Sequence, residues 1–191
     1  MSVRRSRLVA LLTAIVCVAL AATAVQVSDA RPEHDYLRGQ VGRPVQVEDG
    51  EVLVDDVRIG HRLTRDGEVM DTTPGAFVVV DVTVAATSSH ELLYSDSRLV
   101  TRGPRVYDEF SLQSSRAAPG FSEQTEYVFE VDPAQIEDLT LELWRLEIIN
   151  GFQARVQVHL GITADNADQW REAAVGRSVE IDTNATTRAL G

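Results

Sequence analysis

Residues 76–86 read AFVVVDVTVAA. Val78, Val80, Val82 and Val84 recur at every second position, which puts four β-branched side chains on one face of an extended strand. Asp81 and Thr83 hold the opposite parity, so that face is expected to be at least partly wet. This is the strongest strand signal in the chain, and the same period of two governs the sequence on both sides of it.

Upstream, residues 44–47 and 51–59 flank Asp49-Gly50, a strong signal for a two-residue hairpin turn. Val52 and Val54 share one parity, whereas Val57 and Ile59 share the other. A one-residue bulge at Asp55-Asp56 would keep all four inward. Residues 60–75 read as a loop, with Asp66-Gly67 and Pro74-Gly75 as turns. Downstream, residues 97–101 and 105–107 are short strands around Gly103-Pro104, and Pro119-Gly120 closes that section. Residues 125–131 (TEYVFEV) alternate, with Tyr127, Phe129 and Val131 facing in. Residues 139–149 and 152–160 flank Asn150-Gly151, a second hairpin signal. A helix is expected over 164–174, since Ala164, Ala167, Trp170 and Ala174 lie on one face. Asp165 and Asp168 suit its start and Gly176 its stop. A short strand is expected over 178–181.

Seven or eight short strands with turn signals at this spacing predict an all-β, two-sheet β-sandwich with one C-terminal helix. The expected organisation is a signal anchor or signal peptide over 1–30, a linker over 31–39, the sandwich domain over 40–182 and a disordered tail over 183–191.

Residues 8–27 form an uncharged run interrupted only by Thr13, Thr23 and Gln26, preceded by Arg4, Arg5 and Arg7. Twenty residues at ~1.5 Å each reach ~30 Å, enough to cross a bilayer core. The arginines hold the N-terminus in the cytoplasm, so the chain beyond the run lies outside. The run is longer than the core of a usual signal peptide, which favours an uncleaved transmembrane helix. Ala22-Thr23-Ala24 and Ser28-Asp29-Ala30 have the small-x-small form of a cleavage site, so a signal peptide stays open. Either way the expected place is extracytoplasmic: a single-pass membrane protein, or a secreted one if cleaved. The single cysteine, Cys17, sits in mid-run after Ala14, Ile15 and Val16 rather than behind a small-residue pair, which argues against lipidation. It also leaves the exported part without an internal disulfide.

The chain carries a net charge of −11, and setting aside Arg4, Arg5, Arg7 and Asp29 takes the exported part to −13. Such a surface repels phosphate backbones and anionic headgroups, so nucleic acid is not an expected partner. The sequence has no Gly-rich phosphate loop, nucleophile elbow or metalloprotease helix motif. His34, His61, His90 and His159 are scattered, with no pair at metal-ligand spacing. Asp165-Asn166-Ala167-Asp168 lacks the glycine and terminal glutamate of a calcium loop and reads as helix capping. No catalytic residue, cofactor or metal site is expected.

One stretch suggests a contact surface. If Asn150-Gly151 is a two-residue turn, Leu143 opposes Val158 and Leu141 opposes Leu160. Trp144, Leu146 and Ile148 then point away from the core as an apolar stripe of the kind that marks a partner. A bulge near Trp144-Arg145, a longer loop, or cover from the Trp170 helix would bury the stripe instead.

The segments VGRPVQVEDGEVLVDDVRIG (41–60), PGAFVVVDVTVAAT (74–87), PGFSEQTEYVFEVDP (119–133) and LTLELW (139–144) together resemble the bacterial immunoglobulin-like domains of unknown function found in secreted proteins and lipoproteins, akin to the immunoprotective extracellular antigen fold. The resemblance covers about residues 40–145. It implies an immunoglobulin-like sandwich outside the cytoplasm and supplies no catalytic residues. The missing lipid-anchor cysteine departs from the lipoprotein members, and the Trp170 helix is additional. The resulting expectation is a non-enzymatic interaction or accessory module at the envelope, with an envelope protein as partner. The rival is a secreted carrier or sensor of a small ligand.

Overall fold

The computed structural model describes residues 35–111, 113–145, 154–182 and 184–191. The 8–27 run and its two readings lie outside them. Among the described residues no helix is long and apolar enough to cross a membrane.

Two sheets carry the fold. One is built on β3 (Gly50–Arg65), β4 (Glu68–Ala86) and β9 (Phe121–Val131), with β4 central. The valine alternation puts Val78, Val80, Val82 and Val84 on its inner face, all fully buried. The bulge in β3 lies where the charges demand it. Val54 pairs Val82 and Asp56 pairs Asp81, so Asp55 is the extra residue. Val52, Val54, Val57 and Ile59 all stay in the core as a result.

The second sheet runs β1 (Tyr36–Gln40), β11 (Arg155–His159), β10 (Thr140–Trp144), β6 (Asp96–Val100), β7 (Val106–Asp108), with β1 parallel to β11 and the rest antiparallel. Leu99, Leu141, Leu143, Val156 and Val158 meet the valine face across one shared core. The result is a two-sheet sandwich. A two-stranded piece, β5 (Leu92–Tyr94) with β8 (Ser115–Ala117), adds Leu92, Tyr94 and Ala117 to that core. Three residues each are too few to show alternation, so these strands were not expected.

Several expectations are corrected. Residues 60–75 are not a loop: β3 and β4 continue as one long arm to a turn at Asp66-Gly67, where φ is +52° and +79°. Both residues are left-handed, as a two-residue hairpin turn requires. The first hairpin turns one residue earlier than expected. Val47 pairs Gly50, so Glu48-Asp49 form the turn between β2 (Val45–Val47) and β3. Gly50 is a strand residue there for lack of room. A Cβ on it would lie 1.9 Å from the Ala85 carbonyl oxygen.

The linker expected over 31–39 includes most of β1, pinned by its ladder to β11. The helix α1 is shorter than expected, Ala167–Ala174, with Asn166 at its N-cap position. Trp170 packs against the main core.

The tail expected to be disordered over 183–191 contains β13 (Thr186–Ala189), which pairs with β9. The strand β12 (Ser178–Glu180) lies parallel to β3 at the opposite edge of the same sheet. The chain between β12 and β13 therefore passes over the sheet's outer face. Ile181 joins Leu63, Phe77, Val79, Val128 and Val179 in a second, outer cluster. That face of the 76–86 strand is wet only in part, at Asp81 and Thr83.

Candidate functional site

Directly opposed residues on neighbouring strands share a face of the sheet. In the five-stranded sheet Leu141 and Leu143 face the core, so Glu142 and Trp144 face outward. The ladder sets Arg98 and Gln157 beside Glu142, and Asp96 beside Trp144. Trp144 is half-buried, with the Arg98 guanidinium 5.2 Å and the Arg155 guanidinium 4.7 Å from its ring centroid. Both distances are within cation–π range.

Glu142 is only 3% exposed. Its carboxylate accepts from Arg98 at 2.6 Å and from Gln157 Nε2 at 2.7 Å. An ion pair this close to the sheet holds the Arg98 guanidinium at a fixed height and so aims it over the Trp144 ring. Arg155 is 6% exposed. Among the described strand residues of this face the charges balance: Arg38, Arg98 and Arg155 sit in register with Asp96, Asp108 and Glu142. Residues 31–191 carry a net charge of −13, yet these strand positions carry none, and their large side chains include tryptophan, tyrosine and arginine.

Trp144 thus stands on the outer face, as its parity requires. Leu146 and Ile148 lie outside the described residues. The register differs from the expected one. Leu143 opposes Val156 and Leu141 opposes Val158, two residues away from the pairing that an Asn150-Gly151 turn dictates. A slip of two leaves every side chain on its own face, so burial alone cannot reveal it. Arg98, Glu142 and Arg155 were missed because their meeting depends on β6, β10 and β11 being neighbours. The strands over 97–101, 139–149 and 152–160 were expected beforehand, but not their order in the sheet.

A second polar centre lies on the outer face of the other sheet. Arg58 donates to Asp81 Oδ1 at 2.5 Å, to Glu126 Oε1 at 2.7 Å and to the Glu180 carbonyl at 2.6 Å. Burial opposes the charge of Arg58, and its bonds to Asp81 and Glu126 more than restore it, raising its pKa. Burial lifts the Asp81 carboxyl above its ordinary range despite Arg58. A cavity of about 420 Å³ opens here, lined by Arg58, Arg65, Glu126, Glu180 and Asp182 among others.

The third centre is Asp49. Its carboxylate takes Arg145 at 3.1 Å and Ser88 Oγ at 3.1 Å, and His90 Nδ1 lies 3.2 Å away. The bond from Arg145 holds its pKa below the usual range. The Ser88 hydroxyl and the His90 ring both turn to Asp49, and Ser88 Oγ accepts from the His90 backbone N–H at 2.9 Å rather than meeting its ring, so the three do not form a proton relay from serine to histidine. Of the other histidines, His61 lies on β3 and His159 on the outward face of β11, with His34 outside the described residues. Among the described residues no three His, Cys, Asp or Glu converge on a metal position.

No protein-family model matches the sequence, and no curated protein matches it. Among solved structures the chain is similar to the YjhA protein of Bacillus subtilis, at 10% identity and a TM-score of 0.50, over 64% of this chain and 99% of that one. It is also similar to an uncharacterized β-sandwich protein of Clostridium difficile 630, at 8% identity and a TM-score of 0.43, over 68% of this chain and 97% of that one. At such identities the first likeness speaks for the fold alone.

Proposed function

We propose that this chain is a non-enzymatic, extracytoplasmic interaction module of the immunoglobulin-like kind. Residues 8–27 hold it in the membrane, and it docks an envelope protein through the outer face of the five-stranded sheet. The observation that carries this reading is Trp144 set between Arg98 and Arg155 on a charge-balanced face of an acidic domain. Tryptophan and arginine are the residues on which binding energy concentrates, and a face without net charge does not repel an acidic partner. The arginines ahead of an apolar run support the extracytoplasmic placement.

The test is crosslinking of the full-length chain in its own membranes, followed by capture. One protein recovered near one-to-one, and lost with Trp144→Glu but not with Thr140→Glu on the same strand, is the expected result. A partner captured equally by both variants overturns the assignment of this face. The secreted-carrier reading rests on the 420 Å³ cavity at Arg58 and Arg65, whose charged lining suits a small polar ligand. A chain cleaved and found in the medium, with a small molecule bound and no protein partner, decides for it.

A further inference from the structure

The arm formed by β3 and β4 outruns the rest of its sheet. β9 pairs β4 only from Ala76, opposite Val131, onward. It stops there because Asp132-Pro133 comes next. Pro133 has no N–H to continue a ladder, and the Asp132 side chain instead accepts from Ala134 N and opens a 3₁₀ turn, Pro133–Gln135. On the far side of the arm, β12 covers the matching edge of β3. Glu68, Val69, Asp71 and Thr72 are therefore paired on one side only, to β3, with Met70 the extra residue of a bulge opposite Leu63 and Thr64. Among the described residues nothing bonds their outer edge except the Asp71 carboxylate, which takes Thr72 N.

This edge is apolar as well as open. All five residues are exposed, Val69 to 58% and Met70 to 50%. A free edge of five residues, at most ~17 Å long and bent at the Met70 bulge, still offers peptide groups on both sides of that bulge and two large apolar side chains to another strand. Its charge says which strand. Glu68 and Asp71 flank the apolar pair. A second copy laid antiparallel with Val69 against Met70, the register that matches the apolar pair to itself, would bring Glu68 against Asp71, which disfavours self-pairing.

We propose that Glu68–Thr72 is a strand-addition site for an extended segment of a different protein, one that alternates apolar residues with Lys or Arg. Peptide groups supply the ladder, Val69 and Met70 the apolar contact, and Glu68 and Asp71 the choice of a basic partner. The site is separate from the Trp144 face and does not depend on it. Five residues bury less than a standard interface, so the affinity of this edge alone is weak and salt-sensitive.

The probes are two synthetic hexapeptides, Arg-Val-Arg-Val-Thr-Val and Glu-Val-Glu-Val-Thr-Val, added to the full-length chain in detergent micelles. Amide hydrogen exchange is read residue by residue. The basic peptide is expected to slow exchange within residues 68–72 at least tenfold at low salt and to leave other edges unchanged. The acidic peptide is expected to have no effect. Glu68→Lys with Asp71→Lys reverses the preference, and Val69→Thr with Met70→Thr abolishes binding. These are exposed positions, and thermal melts of the variants confirm that they fold. Equal protection by both peptides overturns the proposal, as does protection centred on β1, β7 or β13. Concentration-dependent dimers crosslinked through residues 68–72 overturn it in favour of self-association.

Discussion

Ser115 and Tyr127 form a buried hydroxyl pair whose energetics can be worked out in advance. Ser115 Oγ lies 2.7 Å from Tyr127 Oη, and both residues are fully buried. Burial pushes the Tyr127 hydroxyl pKa far up, a sign of a dry site. Tyr127→Phe removes one hydroxyl and strands the other, at a cost of about 1–3 kcal/mol. Ser115→Ala takes away the side-chain partner of the tyrosine hydroxyl but leaves it the Ser115 backbone, and is expected to fall at the low end of that range. The double variant leaves no stranded group, so it should be destabilised by no more than either single one. The coupling energy of the cycle is then about 1–3 kcal/mol. Urea unfolding of the four proteins gives all the values. Each single change should also lower the melting midpoint by about 2–4 °C per kcal/mol for a domain of this size. The pair ties β8 to β9, so exchange of the β8 amides should rise in both single variants. A cycle that closes additively, with coupling below about 0.5 kcal/mol, would refute the reasoning. It would mean that each hydroxyl has another partner, such as a buried water.

Three further outcomes are expected. Gly50→Ala drives a methyl group to 1.9 Å from the Ala85 carbonyl oxygen, a backbone atom that cannot swing away. It should destabilise by about 1–3 kcal/mol or more, whereas Gly103→Ala, whose nearest neighbour is 3.6 Å away, should be close to silent in the same melt. Glu142→Ala leaves the Arg98 guanidinium without its carboxylate at the sheet surface and should cost about 1–3 kcal/mol. Tryptophan emission in a Trp170→Phe background should report the loosening at Trp144. Glu109, held by Ser97, Ser111 and the Gln113 amide, has its pKa raised by burial, which outweighs those donors. The folded state therefore binds this proton more readily than the unfolded state. The Glu109 contribution is least favourable at neutral pH and improves as pH falls through the raised pKa, levelling off below the ordinary carboxylate value. The stability of the natural chain relative to Glu109→Gln should thus increase from about pH 7 to about pH 4.5. A decrease over that range would show the sign to be wrong.

What was legible in the sequence is what a buried face writes into it. The 76–86 valines, the inward Tyr127, Phe129 and Val131, and the Asp55 bulge all follow from one side of a strand meeting the core. Beyond the three-residue β5 and β8, two of the strands that went unseen have no such face. Thr186–Ala189 is exposed at all four positions and is held by its backbone ladder to β9. Glu68–Thr72 is exposed on both faces, so no alternation marks it and turn residues dominate the reading. At the Trp144 face the direction of the side chain followed from parity. Its neighbours did not, because strand order in a sheet is a long-range property. That the outer face of β4 holds Phe77 and Val79 dry depends on Ile181, about 100 residues further along.

The way the sheet edges are closed bears on when the domain can become itself. β1 docks on residues roughly 120 positions ahead of it, and the β3 and β9 edges wait for β12 and β13. Contacts that join such distant segments carry the loop-closure entropy of almost the whole domain. A chain threaded through a membrane from its N-terminus would thus present its central hairpins first, with valine-rich strands assembled but rims still open. The interval before residues 155–189 arrive is the period of greatest exposure to mispairing. On this view residues 155–189 do more than complete the core with Val156, Val158, Leu160 and Ile162. They act as a latch whose late arrival sets how long a chain emerging in this order must be shielded from its neighbours.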